Sequence, residues 1–301
     1  MTKPINKHLI ADLLLLSVTC IWGATFVTVK NVLDNTPPYT FNGIRFALAT
    51  LTMLPFIVKS YKELDRKTVL AGCLLGFFLF TGYSLQTIGL KYTTASNAGF
   101  LTGLSVVMVP LITLFFTKKL PPLNIALGVI CATAGLALLT LSSNLTFNYG
   151  DMLEFLCAIA FASHVLGVGH YAPRHNTNLL VILQIATVAV LSSATGLVIE
   201  KPQLTFDRGL IEALIITAVF ATTFAFYIQN RMQKFTTASR TAIIFSMEPV
   251  FSAFFAWLLL NEIFTLRSLS GGVLVLAGMI LSGVTSFPFR SKSQERPDLS
   301  Q

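Results

Sequence analysis

Apolar residues occur along the chain in ten runs, which short polar segments separate. A helix needs about 20 apolar residues to cross the hydrocarbon core of a bilayer, so each run is long enough for one membrane-spanning helix. The connections between the runs are too short to hold a soluble domain. The predicted spans are residues 9–29, 41–58, 68–89, 94–116, 123–141, 151–169, 178–199, 209–230, 240–260 and 267–287.

One six-residue phrase occurs twice, as KYTTAS at Lys91–Ser96 and as KFTTAS at Lys234–Ser239, 143 residues apart. Duplication over such a distance is typical of a repeated structural unit. The offset of 143 also pairs Gln86 with Gln229, Gly128 with Gly271 and Gly135 with Gly278. An offset of 139 pairs Asp12 with Asp151, Trp22 with Phe161 and Arg45 with Gln184. The sequence therefore predicts two copies of one module, at residues 1–143 and 150–287, followed by a basic tail at residues 288–301.

Each module holds five predicted spans, which is an odd number, so the second copy must enter the membrane from the opposite side. We therefore predict an all-α integral membrane protein with ten transmembrane helices, arranged as two inverted five-helix repeats. Inverted repeats of this kind typically hold a substrate near the middle of the membrane and alternate its access by rocking one half against the other. Secondary-active transport is the leading interpretation.

Composition and charge agree with a lipid environment. The chain is 54% hydrophobic and only 11% charged, with a mean hydropathy of +0.73. A net charge of +8 would suggest nucleic acid in a soluble domain, but here the basic residues lie between the apolar runs, so no nucleic-acid partner is expected. Fifteen Lys and Arg residues fall in connections on one side of the predicted bundle and five on the other. That asymmetry predicts that both termini are cytoplasmic.

The chain carries several local motifs: Trp22-Gly23, Arg45, the paired Thr-Thr-Ala-Ser phrases, Met247-Glu248-Pro249-Val250 and Leu260-Asn261-Glu262. Together these motifs resemble those of the EamA-type branch of the drug/metabolite transporter superfamily. The resemblance covers nearly the whole chain and implies a carrier of the bacterial inner membrane, often an exporter of amino acids, related metabolites or drugs. It also implies that spans 1, 3, 4, 6, 8 and 9 line a central cavity while spans 5 and 10 lie at the periphery.

The two halves differ where the family pattern would be strongest. Val106 stands opposite Pro249, and Lys119 stands opposite Glu262, a position that is often acidic in this family. The resemblance therefore implies a site that is asymmetric between the halves.

Glu248 is the strongest candidate for coupling, because a carboxylate near the middle of a span is costly unless it is neutral, paired or in contact with water. Pro249 lacks the amide that would bond the carbonyl of Phe245, so we expect the helix to kink there. A carboxyl group beside a broken helix suits proton coupling, and a structural bridge between helices is the alternative. His164 in span 6 is a second candidate, either as a proton relay or as a neutral imidazole bonded to a backbone carbonyl.

Arg45 and Glu154 lie near the same end of spans 2 and 6. The long side chain of Arg45 could reach the membrane interface. The two residues could instead pair, or Arg45 could bind a carboxylate or phosphate of a substrate, and Glu154 could contribute to coupling. Purely structural roles are the alternative for both residues.

The remaining candidates would line the cavity or pack the bundle. Gln86 and Gln229 are repeat mates, so they could line equivalent positions or bond neighbouring helices. The aromatic candidates for holding an apolar part of a substrate are Trp22, Tyr83, Phe100, Phe161, Tyr227 and Phe251. The recurring glycine spacing in spans 5 and 10 predicts matched faces that pack within the monomer or form the seam of a homodimer.

Motifs of several other classes are missing from the sequence. It contains no Gly-x-x-x-x-Gly-Lys-Ser/Thr phosphate loop, no His-Glu-x-x-His pair and no Gly-x-Ser-x-Gly elbow. We therefore expect no enzyme activity, no cofactor and no metal site, and the expected partners are a small-molecule substrate, the bilayer and protons. An anion exchanger for phosphorylated metabolites and a non-transporting scaffold are the alternatives to an exporter.

Overall fold

The computed structural model describes residues 7–58, 60–93, 95–140, 148–201, 207–260 and 265–283. These residues form helices joined by short turns, and no β-strand occurs among them. The predicted basic tail at residues 288–301 and the Asn261-Glu262 pair lie outside the described residues.

Each predicted span coincides with one helix or with two or three consecutive helical pieces. The first half contains α1 (Lys7–Val32), α2 (Pro38–Ile57), α3 (Arg66–Tyr92), α4 (Ala95–Gly103), α5 (Ser105–Thr117) and α6 (Leu123–Thr140). The second half contains α7 (Tyr149–Tyr171), α8 (Thr177–Ile199), α9 (Arg208–Ile215), α10 (Ala225–Met232), α11 (Ala238–Phe245), α12 (Glu248–Leu260) and α13 (Leu266–Gly283). A π-helical segment, Ile216–Phe224, joins α9 to α10.

Seven helical stretches in the described residues are long and apolar enough to cross a membrane, with α4–α5 and α9–α10 each counted as one. Two shorter apolar helices fall within α6 and α13, and α11 and α12 share the remaining predicted span. Large apolar side chains face outward from the bundle, such as Leu197 and Val198, which are 78% and 83% exposed. The molecule is therefore an all-helical, multi-pass membrane protein, and ten crossings in an inverted arrangement remain a prediction.

Polar side chains define where several helices begin. The side chain of Asp65 accepts a hydrogen bond of 2.8 Å from the amide of Thr68 and caps α3. At the start of α7, the Asn148 side chain accepts from the amide of Asp151, and the Asp151 carboxylate accepts from the amide of Asn148, both at 3.0 Å. Such caps satisfy amides that have no partner within the helix, so they fix the first turn.

Two spans are broken at equivalent positions. The α11–α12 pair is interrupted at Ser246 and Met247, and the α4–α5 pair is interrupted at Leu104, which is the repeat mate of Met247 at the offset of 143. Pro249 lies in the first turn of α12, where its missing amide is tolerated. The first half carries Val106 at the position of Pro249 and is broken as well, so the proline is not the sole cause of the interruption.

We call the side of the bundle at which α1 begins the terminal face. Asp12 near the start of α1 forms an ion pair with Arg240 of α11. The Gln233 side chain, after α10, donates a hydrogen bond of 2.5 Å to the carbonyl of Val165 in the second half of α7. The start of α1 and the later part of α7 therefore lie toward the terminal face.

The other side of the bundle, which we call the opposite face, holds the end of α1. There the ammonium of Lys30 donates to the carbonyl of Thr93 at 2.8 Å. The hydroxyl of Thr93 in turn donates to the carboxylate of Asp151 at 2.5 Å, which brings in the start of α7. Thus α1 and α7, the first helices of the two halves, run in opposite directions.

Helices α6 and α13 pack along each other through glycines. A Cβ atom built on Gly128 would lie 2.9 Å from the carbonyl oxygen of Gly278, and one built on Gly135 would lie 2.6 Å from that of Gly271. Only glycine permits so close an approach of two helix backbones. The glycine faces predicted from the sequence therefore meet within one chain, so these glycines are not available as the seam of a homodimer.

Candidate functional site

A central cavity lies between the two halves. Measured as the space open to the centre of a water molecule, its volume is about 80 Å³. Of the residues predicted to form the site, eight line this cavity: Trp22, Arg45, Tyr83, Gln86, Phe161, His164, Gln229 and Glu248. No described residue of α6, α8 or α13 lines it. The cavity is thus built by the predicted spans 1, 3, 4, 6, 8 and 9, to which span 2 adds Arg45.

Arg45 is 5% exposed and points into the bundle rather than toward the membrane interface. Its Nε donates a hydrogen bond of 2.9 Å to the hydroxyl of Thr222. Its guanidinium carbon lies 4.8 Å from the ring centre of Tyr83 and 5.2 Å from that of Phe46. The expectation that Arg45 reaches the interface is wrong, because two aromatic faces and a hydroxyl within the protein hold the cation instead.

No ion pair joins Arg45 to an acidic side chain in the described part of the chain. In particular, Arg45 does not pair with Glu154, which the sequence had left open. Arg45 therefore brings an unneutralised positive charge to the cavity.

Glu248 is the first residue of α12 and faces the cavity. Its carboxyl group forms no hydrogen bond or ion pair with any described residue. The start of a helix carries a partial positive charge, which favours a carboxylate at this position. Glu248 therefore supplies a negative charge, or a proton-binding group, that is open to whatever occupies the cavity.

Ser105 is the repeat mate of Glu248 and opens α5 in the same way. It also lines the cavity. The two half-helices thus begin inside the cavity, one with a carboxyl group and the other with a hydroxyl group. The site is asymmetric in charge although its backbone is arranged alike in the two halves.

His164 is buried, and its Nε2 lies 2.7 Å from the side-chain oxygen of Gln184. Because that oxygen can only accept, Nε2 carries the hydrogen. The partner is therefore a side chain of α8 and not the backbone carbonyl that the structural alternative assumed. Gln184 is the repeat mate of Arg45, so the same position holds a cation in one half and an amide in the other.

The walls of the cavity are largely aromatic. Tyr83 meets Phe161 edge-to-face, with ring centres 5.3 Å apart, and meets Phe226 in the same manner at 6.3 Å. Trp22 packs edge-to-face on Phe245 at 5.0 Å. Such rings can enclose an apolar part of a substrate while the charged groups hold its polar part.

The π-helical segment supplies polar contacts to this wall. Trp22 Nε1 donates a hydrogen bond of 2.8 Å to the carbonyl of Ala221, and Thr222 accepts the bond from Arg45. A π-helix is rare and occurs often at functional sites, because its wider turn leaves backbone groups free for other partners. Both anchored side chains line the cavity, so the segment positions two residues of the site.

The two glutamines and Glu154 are linked to the cavity in different ways. Gln86 Nε2 donates to the hydroxyl of Thr102 at 3.4 Å, and Thr102 donates to the carboxyl group of Glu154 at 3.0 Å. Gln229 Nε2 donates to the side-chain oxygen of Gln233 at 3.5 Å. Glu154 itself does not line the cavity, because Thr102 stands between them.

Three aromatic candidates lie elsewhere. Phe100 and Phe251 pack against the apolar cluster between α5, α6, α11 and α13. From the sequence alone, a position in this cluster could not be distinguished from a position in the cavity wall. The hydroxyl of Tyr227 accepts a hydrogen bond of 2.7 Å from Arg231, and its ring packs on Phe56 near the end of α2. These three residues are therefore not part of the cavity.

The sequence interpretation missed several lining residues, namely Thr25, Val29, Leu79, Thr87, Leu90, Thr102, Gly103, Ser105, Val165, Phe226 and Phe245. Ser105 could have been found, because the offset of 143 places it opposite Glu248. Threonines such as Thr87 offered no such indication, since Thr is common inside apolar helices.

An all-helical membrane bundle that encloses a cavity with charged and aromatic walls has the architecture of a membrane transporter. Two segments of the sequence, residues 9–141 and 148–284, match the profile of the EamA-like transporter family. The chain belongs to the EamA-like transporter family.

Similar proteins agree with this assignment. An uncharacterized transporter of Archaeoglobus fulgidus is 38% identical over 275 residues, which cover 91% of this chain and 86% of the relative. The uncharacterized transporter YoaV of Bacillus subtilis is 21% identical, with 90% of this chain and 96% of the relative covered. A protein of known crystal structure has a TM-score of 0.76 at 15% identity, over 91% of this chain and 96% of the other, and this likeness shows the fold.

Proposed function

We propose that the protein is a secondary-active exporter of small zwitterionic metabolites, amino acids above all, and that protons drive it through Glu248. The observation that carries this proposal is the pair Arg45 and Glu248. Two side chains of opposite charge line one cavity, and neither has an ionic partner among the described residues.

A buried charge without a partner is costly, so its retention needs a reason. A zwitterion would supply a carboxylate for the guanidinium of Arg45 and an ammonium for the carboxylate of Glu248. Arg is well suited to the first contact because its planar group binds carboxylates through two parallel hydrogen bonds. The aromatic walls formed by Trp22, Tyr83 and Phe161 would hold an apolar side chain of the substrate.

Several features support ten crossings in an inverted arrangement that alternates access to the cavity. The first helices of the two halves, α1 and α7, run in opposite directions. The glycine contacts between α6 and α13 are reciprocal, since Gly128 meets Gly278 while their repeat mates Gly271 and Gly135 meet each other. The broken spans begin new half-helices at Ser105 and Glu248. In inverted-repeat transporters, discontinuous helices of this kind surround the substrate near the middle of the membrane.

Coupling to protons requires a group that can be charged in one state and neutral in another. Glu248 meets this requirement, because it faces a cavity that alternately opens to water and closes. When a zwitterion leaves, the carboxylate loses its ammonium partner, and a proton can take the place of that charge. Substrate and proton would then compete for one carboxylate, which is the minimum that antiport requires.

The proposed location is the inner membrane of a bacterial cell with both termini in the cytoplasm, as the distribution of Lys and Arg between the connections suggests. The terminal face would then be cytoplasmic and the opposite face external. Arg45 is the one Lys or Arg residue among those that line the cavity. That composition does not favour the exchange of multiply charged phosphorylated metabolites.

Transport by purified protein in liposomes tests the proposal. We expect L-phenylalanine to accumulate when a pH gradient is imposed, whereas N-acetyl-phenylalanine, which lacks the ammonium, and phenylethylamine, which lacks the carboxylate, do not. Equal transport of all three compounds would contradict a zwitterion site. Accumulation that is independent of the pH gradient would contradict coupling to protons.

A further inference from the structure

A second acidic side chain, Glu154, lies buried between the cavity and the opposite face. We propose that Asp151 and Glu154 form a proton path from the opposite face into the central cavity, where Glu248 receives the proton. This inference rests on the proposed proton coupling and adds to it the route by which the proton arrives.

Glu154 is fully buried on α7, with 0% of its surface exposed. One carboxyl oxygen accepts the hydrogen bond from Thr102, and the other has no partner. The structure makes room for this side chain, because a Cβ atom on Gly89 of α3 would lie only 2.9 Å from the unpartnered oxygen. A carboxyl group kept in a dedicated space with a free oxygen is suited to exchange a proton rather than to hold two helices together.

Asp151 connects Glu154 to the opposite face. It lies three residues earlier on α7, so the two side chains point to the same side of that helix. Its carboxylate accepts from the hydroxyl of Thr93 and the amide of Asn148, at the start of the helix. Asn148 and Tyr149 beside it are exposed, so the outer end of this pair of carboxyl groups lies within reach of water.

Thr102 connects Glu154 to the cavity. Its hydroxyl accepts from Gln86 and directs its single hydrogen to Glu154, and both Gln86 and Thr102 line the cavity. A cavity of about 80 Å³ whose lining includes Gln86, Thr87 and Gln229 has room for several water molecules, since each needs roughly 10–15 Å³ on this measure. Water in the cavity would bridge the remaining distance to Glu248.

The transfer balances without any further reactant. When Glu154 carries a proton on the oxygen next to Thr102, the hydroxyl of Thr102 turns its hydrogen from Glu154 toward the cavity. Thr102 then accepts the proton of Glu154 and gives its own hydrogen to a cavity water. That water passes a proton to the carboxylate of Glu248. Glu154 ends as a carboxylate and Glu248 as a neutral acid, while threonine and water are unchanged. Asp151 takes up a proton from water at the opposite face and passes it to Glu154, so Asp151 is also unchanged at the end.

The groups that surround Glu154 agree with a path for protons. Asp151 and Cys157 face it from α7 and Glu248 from α12, whereas α3 offers Gly89 and α4 offers Thr102. Among the described residues, no basic side chain forms an ion pair with Glu154. Lys30 is held nearby at the opposite face, where it donates to the carbonyl of Thr93.

The test compares two activities in the same liposomes, using L-phenylalanine as the probe. The first activity is exchange of labelled for unlabelled probe at equal pH, which needs no net proton movement. The second is accumulation driven by a pH gradient. We expect Glu154→Gln to keep exchange and to lose at least about tenfold of the driven accumulation, as removal of a proton-transfer group does in other proteins. Asp151→Asn should also reduce driven accumulation.

Matched variants separate a proton path from general damage. Thr102→Val should lower the ratio of driven accumulation to exchange, whereas Thr102→Ser, which keeps the hydroxyl, should keep the wild-type ratio. Glu212→Gln removes an exposed carboxylate that pairs with Arg208, and it should behave as the wild type does. If Glu154→Gln does not fold, the two Thr102 variants decide the question.

The outcomes distinguish the path from the function on which it rests. If Glu248→Gln abolishes driven accumulation while Glu154→Gln and Thr102→Val leave it at the wild-type level, the path is wrong and the proposed coupling stands. If driven accumulation is absent in the wild type or survives in Glu248→Gln, the proposed coupling itself is wrong.

Discussion

Ser105 and Glu248 occupy the same position in the two halves of the molecule, 143 residues apart, and each begins a half-helix inside the central cavity. The backbone has the same arrangement at both positions, yet only Glu248 can carry a charge. A transporter whose halves exchange roles needs symmetry in its motion, whereas a coupling site needs one defined proton-binding group. Under the proposed mechanism, this pair of residues would provide both.

The carboxyl group of Glu248 is expected to couple transport to protons. Glu248→Gln has the shape of the neutral acid, so driven accumulation of L-phenylalanine should disappear. Exchange should continue at raised probe concentrations, because the variant also loses the contact between the carboxylate and the substrate ammonium. Ser105→Ala provides the control at the equivalent position, because it removes a hydroxyl that cannot take up the charge, and coupling should persist. A Glu248→Gln protein that still concentrates the probe would show that the carboxyl group is only structural.

Replacement of Arg45 should weaken substrate binding. Arg45→Gln removes a charge-assisted contact, and such hydrogen bonds contribute about 1.5–3 kcal/mol, so the dissociation constant should rise by roughly tenfold or more. Arg45→Lys should recover only part of the affinity, since a lysine lacks the planar group that lies over the Tyr83 ring. Titration calorimetry with L-phenylalanine measures the effect, with exposed Arg208→Gln as the control. Unchanged binding by Arg45→Gln would mean that the guanidinium does not touch the substrate.

The seam between α6 and α13 should be intolerant of any added side chain. A Cβ atom on Gly135 or Gly278 would lie 2.6 Å from a backbone oxygen of the partner helix, so the helices would have to separate. We expect Gly135→Ala and Gly278→Ala each to destabilise the protein by about 1–3 kcal/mol, the usual cost of overpacking. Thermal unfolding in detergent measures this loss. Gly99→Ala is the matched control, because its nearest neighbour would be an ordinary 3.9 Å away, and an equal loss there would contradict the explanation.

The cap of α3 should give a pH-dependent contribution to stability. Hydrogen bonds from the side chain and the amide of Thr68 hold the pKa of the exposed Asp65 carboxyl below its ordinary value. Because the folded pKa is lower than the unfolded one, the contribution is complete above the ordinary value of about 3.9 and is lost as the pH falls through the folded pKa. Hydrogen exchange at the Thr68 amide should therefore be faster in Asp65→Ala than in the wild type near neutral pH. The difference should vanish in acid, and a difference that persists there would point to another cause.

The positions of the helices could be predicted from the sequence because membrane-spanning helices must be long and apolar. All ten apolar runs contain helices in the described residues, and the repeat revealed which positions correspond. The break near Pro249 could also be anticipated from its missing amide. The equivalent break at Leu104 could not be anticipated, because no proline marks that position. Only the repeat offset relates Leu104 to Met247.

The sequence was less informative about which polar and aromatic residues meet in the cavity. The depth of Arg45 along span 2 suggested that its side chain could reach the interface. The direction of that side chain depends instead on the rings of Tyr83 and Phe46, which the packing of two helices brings together. Phe100 and Phe251 are aromatic residues of the type that lines cavities, yet they pack in an apolar core. The π-helical segment was also invisible, since Ile216–Phe224 is as apolar as an ordinary span and its wider turn depends on tertiary contacts.

The reciprocal glycine contacts of α6 and α13 are those that a local twofold axis between these helices would produce. Exchange of the two halves carries the contact of Gly128 with Gly278 onto that of Gly271 with Gly135, so the seam maps onto itself. Contacts that map onto themselves are the same before and after the halves exchange conformations, so under the proposed mechanism this seam would stay closed while the cavity walls move. A covalent tether across the seam should thus be compatible with a full transport cycle, although the same tether between α1 and α7 would arrest it.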